Sequence, residues 1–337
     1  MSPMSPMSED KDRPEAQAGV QSAAAAAAEP PAGSMTEPQS GETRCGFIAV
    51  IGAPNAGKST LVNQLVGAKV AIVSRKVQTT RTTLRGIAIA GRSQLVFIDT
   101  PGIFAPKRRL DRAMVEAAWG GAGDADLVLL VVDAAKGLDE DVERIVSKLK
   151  ETRSALLLAL NKIDRVQKER LLELAAQLNT ELPFTATFMI SALDGNGVAD
   201  LKAHLAAAVP PGPWHYPEDE ITDAPMRILA AEITREKIYD RLHEELPYQT
   251  AVETTGWTEQ PNGIHVEQTI YVERDSQKRI VVGKGAAMIK LLSMEARKEL
   301  AALLERPVHL FLFVKVREGW GDDPARYRDL GLVFPKD

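Results

Sequence analysis

The chain has 337 residues, which at roughly 100–200 residues per domain is enough for about two folded domains. Hydrophobic residues make up 45% and charged residues 26%, a composition that excludes a wholly disordered chain and a membrane-embedded one. The formal net charge of -5 excludes a chain-wide polycation, so binding to nucleic acid would need a local basic patch.

Residues 1–43 form an N-terminal extension rich in Ala, Ser, Pro and Glu. It has almost no large apolar side chains, so we expect it to be disordered, and its acidic start is unlike a secretion signal. The one cysteine, Cys45, fits a reducing compartment, and no apolar run approaches the ~18 residues of a membrane span. We therefore predict a cytoplasmic protein, and peripheral association with the inner membrane surface stays open.

From residue 47 onward, short apolar runs alternate with amphipathic segments. This alternation predicts an α/β domain over 44–208, with a mainly parallel sheet and helices on both faces. The predicted strands are 47–51, 83–89, 94–99, 126–133, 155–161 and 186–191. The predicted helices are 57–66, 114–119, 139–151, 167–179 and 198–207.

A proline-rich segment, residues 209–225, interrupts this alternation and is predicted to link the first domain to a second one at 226–337. The order of elements then changes, and it predicts a small α+β domain. The predicted elements are a helix at 228–242, strands at 249–257 and 263–273, an apolar strand-like run at 280–282, a helix from 283 to 304 and a strand at 308–316.

The segment GAPNAGKST, residues 52–60, follows the first strand and fits the phosphate-binding pattern G-x-x-x-x-G-K-[ST]. Gly57 permits the tight turn that points backbone N–H groups at an anion. Lys58 is placed to reach the β and γ phosphates, and Ser59 offers a hydroxyl to Mg²⁺. The other predicted nucleotide contacts in this loop are Asn55, Ala56 and Thr60.

Three further motifs end strands in the order that a nucleotide-binding sheet requires. In DTPG, residues 99–102, Asp99 is predicted to hold Mg²⁺ through water and the Gly102 N–H to sense the γ-phosphate. In NKID, residues 161–164, Asp164 is predicted to accept hydrogen bonds from N1–H and the 2-amino group of guanine, which adenine cannot supply. Asn161 is predicted to reach the base edge. In ISA, residues 190–192, the Ala192 N–H is predicted to bind guanine O6. Two more predicted nucleotide contacts are Lys162 and Ser191.

With these motifs, residues 46–208 resemble the translation-factor-type P-loop GTPases. The QTTR segment, residues 78–81, resembles the first switch of the Era, TrmE and double-GTPase group. That resemblance implies that Thr80, with Thr79 as the alternative, completes Mg²⁺ coordination, and that Asn55 coordinates K⁺. The residues predicted to support catalysis are Lys58, Thr80 and Gly102.

Ile103 follows DTPG, where Ras-like enzymes carry the glutamine that orients the attacking water. The isoleucine side chain forms no hydrogen bond, so we predict slow hydrolysis, on the order of 10⁻⁴–10⁻³ s⁻¹, unless K⁺, a switch residue or a partner completes the site. Three arginines near the first switch are expected to be solvated or to face a partner: Arg75, Arg81 and Arg85.

Residues 274–298 concentrate charge of one sign, with seven Lys or Arg against two acidic residues. They surround VVGKGAAMIKLL, residues 281–292, where a glycine turn and a helix are suited to bind nucleic-acid phosphates. The predicted RNA contacts are Gly283, Lys284, Gly285, Ala286 and Lys290.

The segments 245–253, 280–300 and 307–320 resemble the type II KH domain of the Era family of GTPases, behind the same GTPase domain. The resemblance implies a protein that binds 16S rRNA near its 3′ end and assists assembly of the 30S subunit. Because the switch segments precede the proline-rich linker and the basic turn, we also predict an RNA affinity that depends on bound GTP or GDP, and we expect a monomer. The sequence departs from the family at Ala286, since the GXXG loop of KH domains ends in glycine. Trp320 is a candidate base contact, and packing between the domains is the alternative favoured for it.

Three alternatives to this interpretation are considered. A tRNA-modification GTPase of the TrmE type needs a C-terminal cysteine, and the GTPase domain of a membrane transporter needs transmembrane helices; the sequence shows neither. The third is an RNA-binding assembly factor whose nucleotide site is mainly structural. A turnover assay with Lys58→Ala as the control separates it from a GTPase.

Overall fold

The computed structural model describes residues 42–74, 76, 80–81, 83–106, 108–320, 323–324, 327 and 332–335. The predicted disordered extension, apart from its last two residues, lies outside the described residues, as do Arg75 and Thr79. Within the described part the chain forms a mainly parallel six-stranded sheet and a three-stranded sheet. The predicted fold class, an α/β P-loop GTPase domain followed by a small α+β type II KH domain, is confirmed.

Six strands make the first sheet, in the order β2-β3-β1-β4-β5-β6. They are β1 (Arg44–Ile51), β2 (Leu84–Ala90), β3 (Ser93–Asp99), β4 (Leu127–Asp133), β5 (Ala155–Asn161) and β6 (Ala186–Ile190). Strand β2 is antiparallel to β3, and the other neighbours pair in parallel. Because the parallel strands end at one edge, the segments that follow them meet there.

Helices cover both faces of this sheet. They are α1 (Lys58–Val66), α2 (Arg109–Gly123), α3 (Glu140–Leu149), α4 (Lys168–Glu181) and α5 (Val198–Ala208). In β4, Val128 and Leu130 pack in the core under α2, α3 and α4, whereas Leu127 and Leu129 pack under α1 and α5. Burial on both faces explains why the strand is apolar without alternation.

The second sheet combines an antiparallel hairpin with one parallel strand. Its strands are β7 (Ala251–Gln260), β8 (Gly263–Val272) and β9 (Val308–Val316), and its helices are α6 (Met226–Arg241), α7 (Asp275–Val282) and α8 (Ala287–Leu303). Apolar residues of α6 and α8, among them Ile233 and Leu300, pack against the sheet. No helix in the described ranges combines the length and the apolar character that a membrane span requires.

The predicted strand-like run at 280–282 is wrong, because these residues form the last turn of α7. The helix is started by Gln277, whose Oε1 accepts hydrogen bonds from the N–H groups of Glu273 and Arg274 at 2.8 and 3.1 Å. Three apolar residues are too few to separate a helix from a strand by periodicity. The capping glutamine is the signal that the sequence prediction overlooked.

Helix α2 is much longer than its predicted span of 114–119. It begins earlier because Oδ2 of Asp111 accepts a hydrogen bond from the Arg108 N–H at 2.9 Å. It continues through glycines that allow close packing, since a Cβ on Gly121 would lie 3.3 Å from Cγ2 of Ile98. The other predicted elements are present with ends shifted by a few residues.

The proline-rich segment 209–225 lies against the starts of β1 and β3 and along the outer side of β2. The Pro210 carbonyl accepts from the Cys45 N–H at 3.1 Å, and the Ile221 carbonyl accepts from the Ile87 N–H at 2.9 Å. Nε2 of Gln94 donates to the Tyr216 carbonyl at 2.8 Å. The connection between the two sheets is therefore fixed to the first of them.

Residues near the C-terminus return to the first domain. Tyr327 and Leu332 are buried together with Met114 of α2, and the ring of Phe334 lies under the Arg109 guanidinium, 5.1 Å from the ring centroid. The helix that follows DTPG is thus covered by residues more than 200 positions later in the chain.

Replacing Met114 by alanine should lower the free energy of unfolding by about 2–5 kcal/mol, because a buried methionine leaves a cavity. Met226→Ala is the matched control: Met226 is 41% exposed, and surface substitutions of this kind change stability by under about 0.5 kcal/mol. Denaturant unfolding followed by circular dichroism measures both variants. Equal losses would contradict the tight packing between α2 and the C-terminal residues.

Candidate nucleotide and RNA sites

The loop between β1 and α1 folds around the ammonium group of Lys58. Nζ donates to the carbonyl oxygens of Gly52 and Ala53, each at 3.1 Å. Burial lowers the pKa of Lys58 to about 8, an effect that the Asp99 charge opposes. An ammonium group has three donors, so these two contacts leave one for a phosphate.

Two residues of this loop have a left-handed backbone. Gly57 has a φ of 99°, and a Cβ at this position would lie 2.2 Å from Nδ2 of Asn161. Asn55 has a φ of 62°, a conformation that asparagine tolerates better than most side chains. Only glycine fits at position 57.

Three oxygen-bearing side chains meet where β3 ends. Oγ of Ser59 lies 2.8 Å from Oδ2 of Asp99 and 2.9 Å from Oγ1 of Thr80. Oγ1 of Thr80 lies 3.3 Å from Oδ2 of Asp99. Burial raises the pKa of Asp99 to about 6, although the hydrogen bond from Ser59 and the Lys58 charge act in the opposite direction.

This cluster fits a magnesium ion. Mg²⁺ prefers an octahedron of oxygen ligands at about 2.0–2.1 Å, whose neighbouring corners are about 2.9 Å apart, and the Ser59 and Thr80 hydroxyls have this separation of 2.9 Å. Oδ1 of Asp99 is buried and accepts no hydrogen bond from the described residues. The three predicted metal residues are therefore brought together, and Asp99 retains an oxygen for a cation or its water.

A carboxylate suited to read the base lies at the end of β5. Asp164 is exposed, and its orientation is set by Ser191 after β6, whose Oγ lies 3.0 Å from Oδ1 of Asp164 and 2.9 Å from Oδ2 of Asp194. The predicted pair of Asp164 and Ser191 is thus in direct contact.

The Asn161 amide lies deeper than predicted. Oδ1 accepts hydrogen bonds from the Lys162 and Ala192 N–H groups at 2.8 and 2.9 Å, and Nδ2 donates to the Ala56 carbonyl at 2.8 Å. The Ala192 N–H can therefore make the predicted contact with guanine only if it donates to Asn161 and the base at once, or if it releases Asn161. Asn161 itself joins the phosphate loop to the segment after β6.

Lys162 makes a second link between these loops. Its Nζ donates to the Asn55 carbonyl and to Oδ2 of Asp133, each at 2.6 Å. Most of the predicted phosphate residues and two of the three predicted metal residues, Ser59 and Thr80, line one pocket, which also includes part of the segment after α1. The residues that line it are Pro54, Asn55, Gly57, Lys58, Ser59, Thr60, Ile72, Val73, Ser74, Thr80 and Gly102.

The Ile103 side chain lies in the hydrophobic core and outside this pocket. It is 1% exposed, and its N–H donates to the Gly52 carbonyl at 3.1 Å. Buried in this way, it is out of reach of a water molecule next to a phosphate.

The GKGA turn, residues 283–286, joins α7 to α8 with an unusual backbone. Gly283 has a φ of 73°, and a Cβ on it would lie 2.8 Å from a backbone nitrogen of α8. Gly285 and Ala286 have φ values of 59° and 62°. This left-handed conformation costs an L-residue about 1–2 kcal/mol, so Ala286 adopts the backbone that a glycine would prefer. The predicted RNA contacts Lys284 and Lys290 are exposed.

Of the two alternatives for Trp320, the structure agrees with packing: the side chain is 3% exposed, and its Nε1 donates to the Gln249 carbonyl at 3.1 Å. One expectation about a surface side chain is wrong. Arg81, expected to be solvated or to face a partner, is 3% exposed and is enclosed by the second domain of its own chain. Arg85 is partly exposed and pairs with Asp223 at 2.7 Å. Local sequence carries no signal for such long-range contacts.

Comparison with known proteins accounts for both parts of the chain. A family model described as 50S ribosome-binding GTPase matches residues 47–162, and a KH domain model matches residues 245–321. A GTPase Era from Bradyrhizobium sp. strain BTAi1 is 64% identical over 297 residues, covering 88% of this chain and 96% of the relative. The chain belongs to the Era family of GTPases. A second Era, from Rhizobium meliloti strain 1021, is 62% identical over 295 residues, covering 87% and 94%.

Solved structures of Era agree with this assignment. Era in complex with MgGDPNP and nucleotides 1506–1542 of 16S ribosomal RNA has a TM-score of 0.82 and 37% identity, covering 86% of this chain and 99% of that one. A variant of Aquifex aeolicus Era bound to GDP·AlF4⁻ gives the same TM-score of 0.82 and the same identity and coverage. This Era-family chain is thus a GTP-hydrolysing enzyme with a KH domain.

Ile103→Gln should leave kcat for GTP hydrolysis unchanged or lower, since the side chain points into the core. Burying the amide should reduce the free energy of unfolding by about 1–3 kcal/mol. Phosphate release and denaturant unfolding measure the two effects. Ile103→Leu is the control and should cost under about 1.5 kcal/mol; a faster Ile103→Gln enzyme would show that position 103 faces the pocket.

Ala286→Gly should stabilise the KH domain by up to about 1.6 kcal/mol. It relieves about 1–2 kcal/mol of backbone strain, and the greater entropy of glycine in the unfolded chain offsets about 0.4–1 kcal/mol of this. The reciprocal control is Gly285→Ala, because a Cβ there meets no atom within 4 Å and only the backbone conformation opposes it. Denaturant unfolding should give opposite signs; a loss of stability in Ala286→Gly would contradict the left-handed turn.

Proposed function

We propose that this protein binds and slowly hydrolyses GTP, binds 16S rRNA near its 3′ end, and assists assembly of the small (30S) ribosomal subunit. The observation that supports this most is the placement of the Ser59, Thr80 and Asp99 cluster and the exposed Asp164 at one sheet edge. The Era structure with MgGDPNP and a 16S rRNA fragment supports the choice of ligands.

Each residue of the pocket has one proposed task. Lys58 and the N–H groups of its loop bind the β and γ phosphates, and Gly102 senses the γ-phosphate. The hydroxyls of Ser59 and Thr80, with Asp99 acting through water, hold Mg²⁺, which when bound supplies positive charge to the phosphate oxygens. The chain's own contribution is to bind and orient the triphosphate.

Specificity for guanine rests on Asp164. A carboxylate accepts hydrogen bonds from N1–H and the 2-amino group of guanine, and adenine would leave it unpaired. The remaining proposed nucleotide contacts are Asn55, Ala56, Gly57, Thr60, Asn161, Lys162, Ser191 and Ala192.

RNA binding is assigned to the GKGA turn and its flanking helices in a KH domain that we place at 226–337, after the linker 209–225 and a GTPase domain at 44–208. Lys278, Arg279 and Lys284 line one shallow groove beside this turn, where basic side chains and backbone N–H groups suit RNA phosphates. The proposed contacts are Gly283, Lys284, Gly285, Ala286 and Lys290.

We also propose that the bound nucleotide changes the affinity for RNA. The segment after α1 supports this, because Nζ of Lys69 lies 2.6 Å from Oε2 of Glu236 in α6, and the Val73 N–H donates to Oε1 of the same residue at 2.8 Å. A nucleotide that moves the segment next to Thr80 therefore also changes contacts with the KH domain.

Finer proposals concern the ion, the location and the oligomeric state. K⁺ bound through Asn55 should stimulate hydrolysis, which comparison of rates in KCl and NaCl measures. A location in the cytosol is supported by the single, buried cysteine, and the monomeric state and contact with the membrane surface stay predictions.

The proposed function predicts GTP turnover and RNA binding that respond to separate substitutions. Phosphate release should fall in Lys58→Ala, whose RNA affinity in GDP should be unchanged. Lys284→Ala with Lys290→Ala should weaken binding of an RNA containing 16S nucleotides 1506–1542 and reduce its salt slope by about 1.4, at ~0.7 per lost contact with a single strand.

Lys168→Ala, an exposed lysine of the GTPase domain, is the control for RNA binding. Equal phosphate release by the wild type and Lys58→Ala would favour the RNA-binding factor with a structural nucleotide site. Equal RNA affinity with a GTP analogue and with GDP would refute the nucleotide-dependent switch.

A further inference from the structure

Arg81, the residue directly after Thr80, is enclosed by the KH domain. Its Nη1 donates to the Thr250 carbonyl at 2.7 Å. Its Nη2 donates to the Tyr248 carbonyl at 2.9 Å and to the Tyr239 hydroxyl at 3.1 Å, and lies 3.3 Å from the Pro247 carbonyl. All of these acceptors belong to the KH domain. A side chain of the GTPase domain is thus bound entirely by groups of the KH domain.

The acceptors form a socket for a guanidinium, which we define as Tyr239, residues 247–250 and Trp320. Residues 247–249 form a short 3₁₀ helix, and the last carbonyls of a helix lack partners within it. Nε1 of Trp320 donates to the Gln249 carbonyl, and Arg81 donates to the Tyr248 and Thr250 carbonyls. The Pro247 carbonyl accepts from the Thr250 hydroxyl at 2.9 Å and lies 3.3 Å from Arg81. The guanidinium also lies over the Trp320 ring, 5.9 Å from the centroid.

An arginine is well matched to this socket. Its planar fork of N–H donors contacts several fixed acceptors at once, whereas a lysine has a single compact charge. Withdrawing the guanidinium would remove a hydrogen-bond donor from several enclosed acceptors at once, which is unfavourable. The docked KH domain therefore holds the backbone at position 81 in one place.

The residue before Arg81 in the chain is Thr80, which belongs to the cluster at the end of β3. Thr80 Oγ1 lies 2.9 Å from Ser59 Oγ, and consecutive Cα atoms are about 3.8 Å apart. A displacement of Arg81 by a few ångströms would thus move the Thr80 hydroxyl out of the cluster. Lys76 makes a further contact, since its Nζ donates to the Tyr239 and Leu242 carbonyls.

We propose that Arg81 is a positioning residue: seated in the KH socket, it holds the Thr80 hydroxyl at the metal cluster, so that docking of the KH domain raises the affinity for Mg²⁺ with GTP. By reciprocity, Mg²⁺ with GTP favours the docked KH domain to the same degree. This inference rests on the proposed function, because it takes the cluster to be the Mg²⁺ site.

The test compares full-length Arg81→Ala and Arg81→Lys with Arg108→Ala. Arg108 is the matched control, since it also reaches the KH domain, with Nη2 2.9 Å from Oε2 of Glu245. Its side chain is 50% exposed, and exposed ion pairs contribute little. The measurement is the Mg²⁺ concentration that gives half-maximal binding of a fluorescent GTP analogue, with a GDP analogue in parallel.

Both Arg81 variants should need at least about fivefold more Mg²⁺ with the GTP analogue, the lower end of typical coupling between sites. The shift should be smaller with the GDP analogue, and Arg108→Ala should behave as the wild type. Tyr239→Phe removes one acceptor of the socket and keeps the ring. It should therefore raise the Mg²⁺ requirement in the same direction but by less. This variant keeps the test valid if Arg81→Ala does not fold.

A purely structural role predicts a different result. Arg81→Ala or Tyr239→Phe would then lower the thermal unfolding temperature without changing the Mg²⁺ requirement, and this would overturn the proposal. Normal GTP binding with an unchanged Mg²⁺ requirement would refute Arg81 positioning and leave the proposed function standing. Absence of GTP binding in the wild type would refute both.

Discussion

The Asp99 carboxylate is the group on which the nucleotide site depends. Through Oδ2 it accepts hydrogen bonds from Ser59 at the start of α1 and from Thr80 in the segment after that helix. Burial keeps its pKa raised to about 6, and burial keeps that of Lys58 lowered to about 8. Both charges are therefore poorly compensated by the protein itself, and a cation together with phosphate groups would stabilise both. The site is electrostatically complementary to a metal-bound polyphosphate.

The loops around this carboxylate are joined by side chains that form hydrogen bonds with the backbone of a neighbouring loop. Asn161 joins the Ala56 carbonyl to the Ala192 N–H, and Lys162 joins the Asn55 carbonyl to Asp133. The residues next to Asp164 thus also support the phosphate loop. The segment proposed to read the base and the loop proposed to bind phosphate therefore form one connected unit, because a change in either alters the hydrogen-bond partners of the other.

The sequence predicted this unit well because its signals are local. Strand β5 has the predicted bounds of 155–161, and each motif directly follows an apolar strand whose parallel neighbours end at the same edge. The prediction failed where a residue's environment is set by a distant segment. Arg81 is a charged side chain that local sequence places at the surface, yet it is buried against residues 247–250. The run at 280–282 failed for another reason, since three apolar residues fit a helix as well as a strand.

The contacts between the GTPase domain and the KH domain differ in how easily water can replace them. The Arg108–Glu245 pair is exposed, and such a pair contributes about 0–1 kcal/mol. Releasing Arg81 would instead remove a donor from buried acceptors, at about 1–3 kcal/mol for each that finds no new donor. A rearrangement of the domains therefore depends more on this arginine than on the Arg108–Glu245 pair. A ligand shifts such an equilibrium only by its difference in affinity for the two arrangements of the domains. The nucleotide acts on this equilibrium through Thr80 and the KH domain acts on it through Arg81, and one peptide bond joins the two residues.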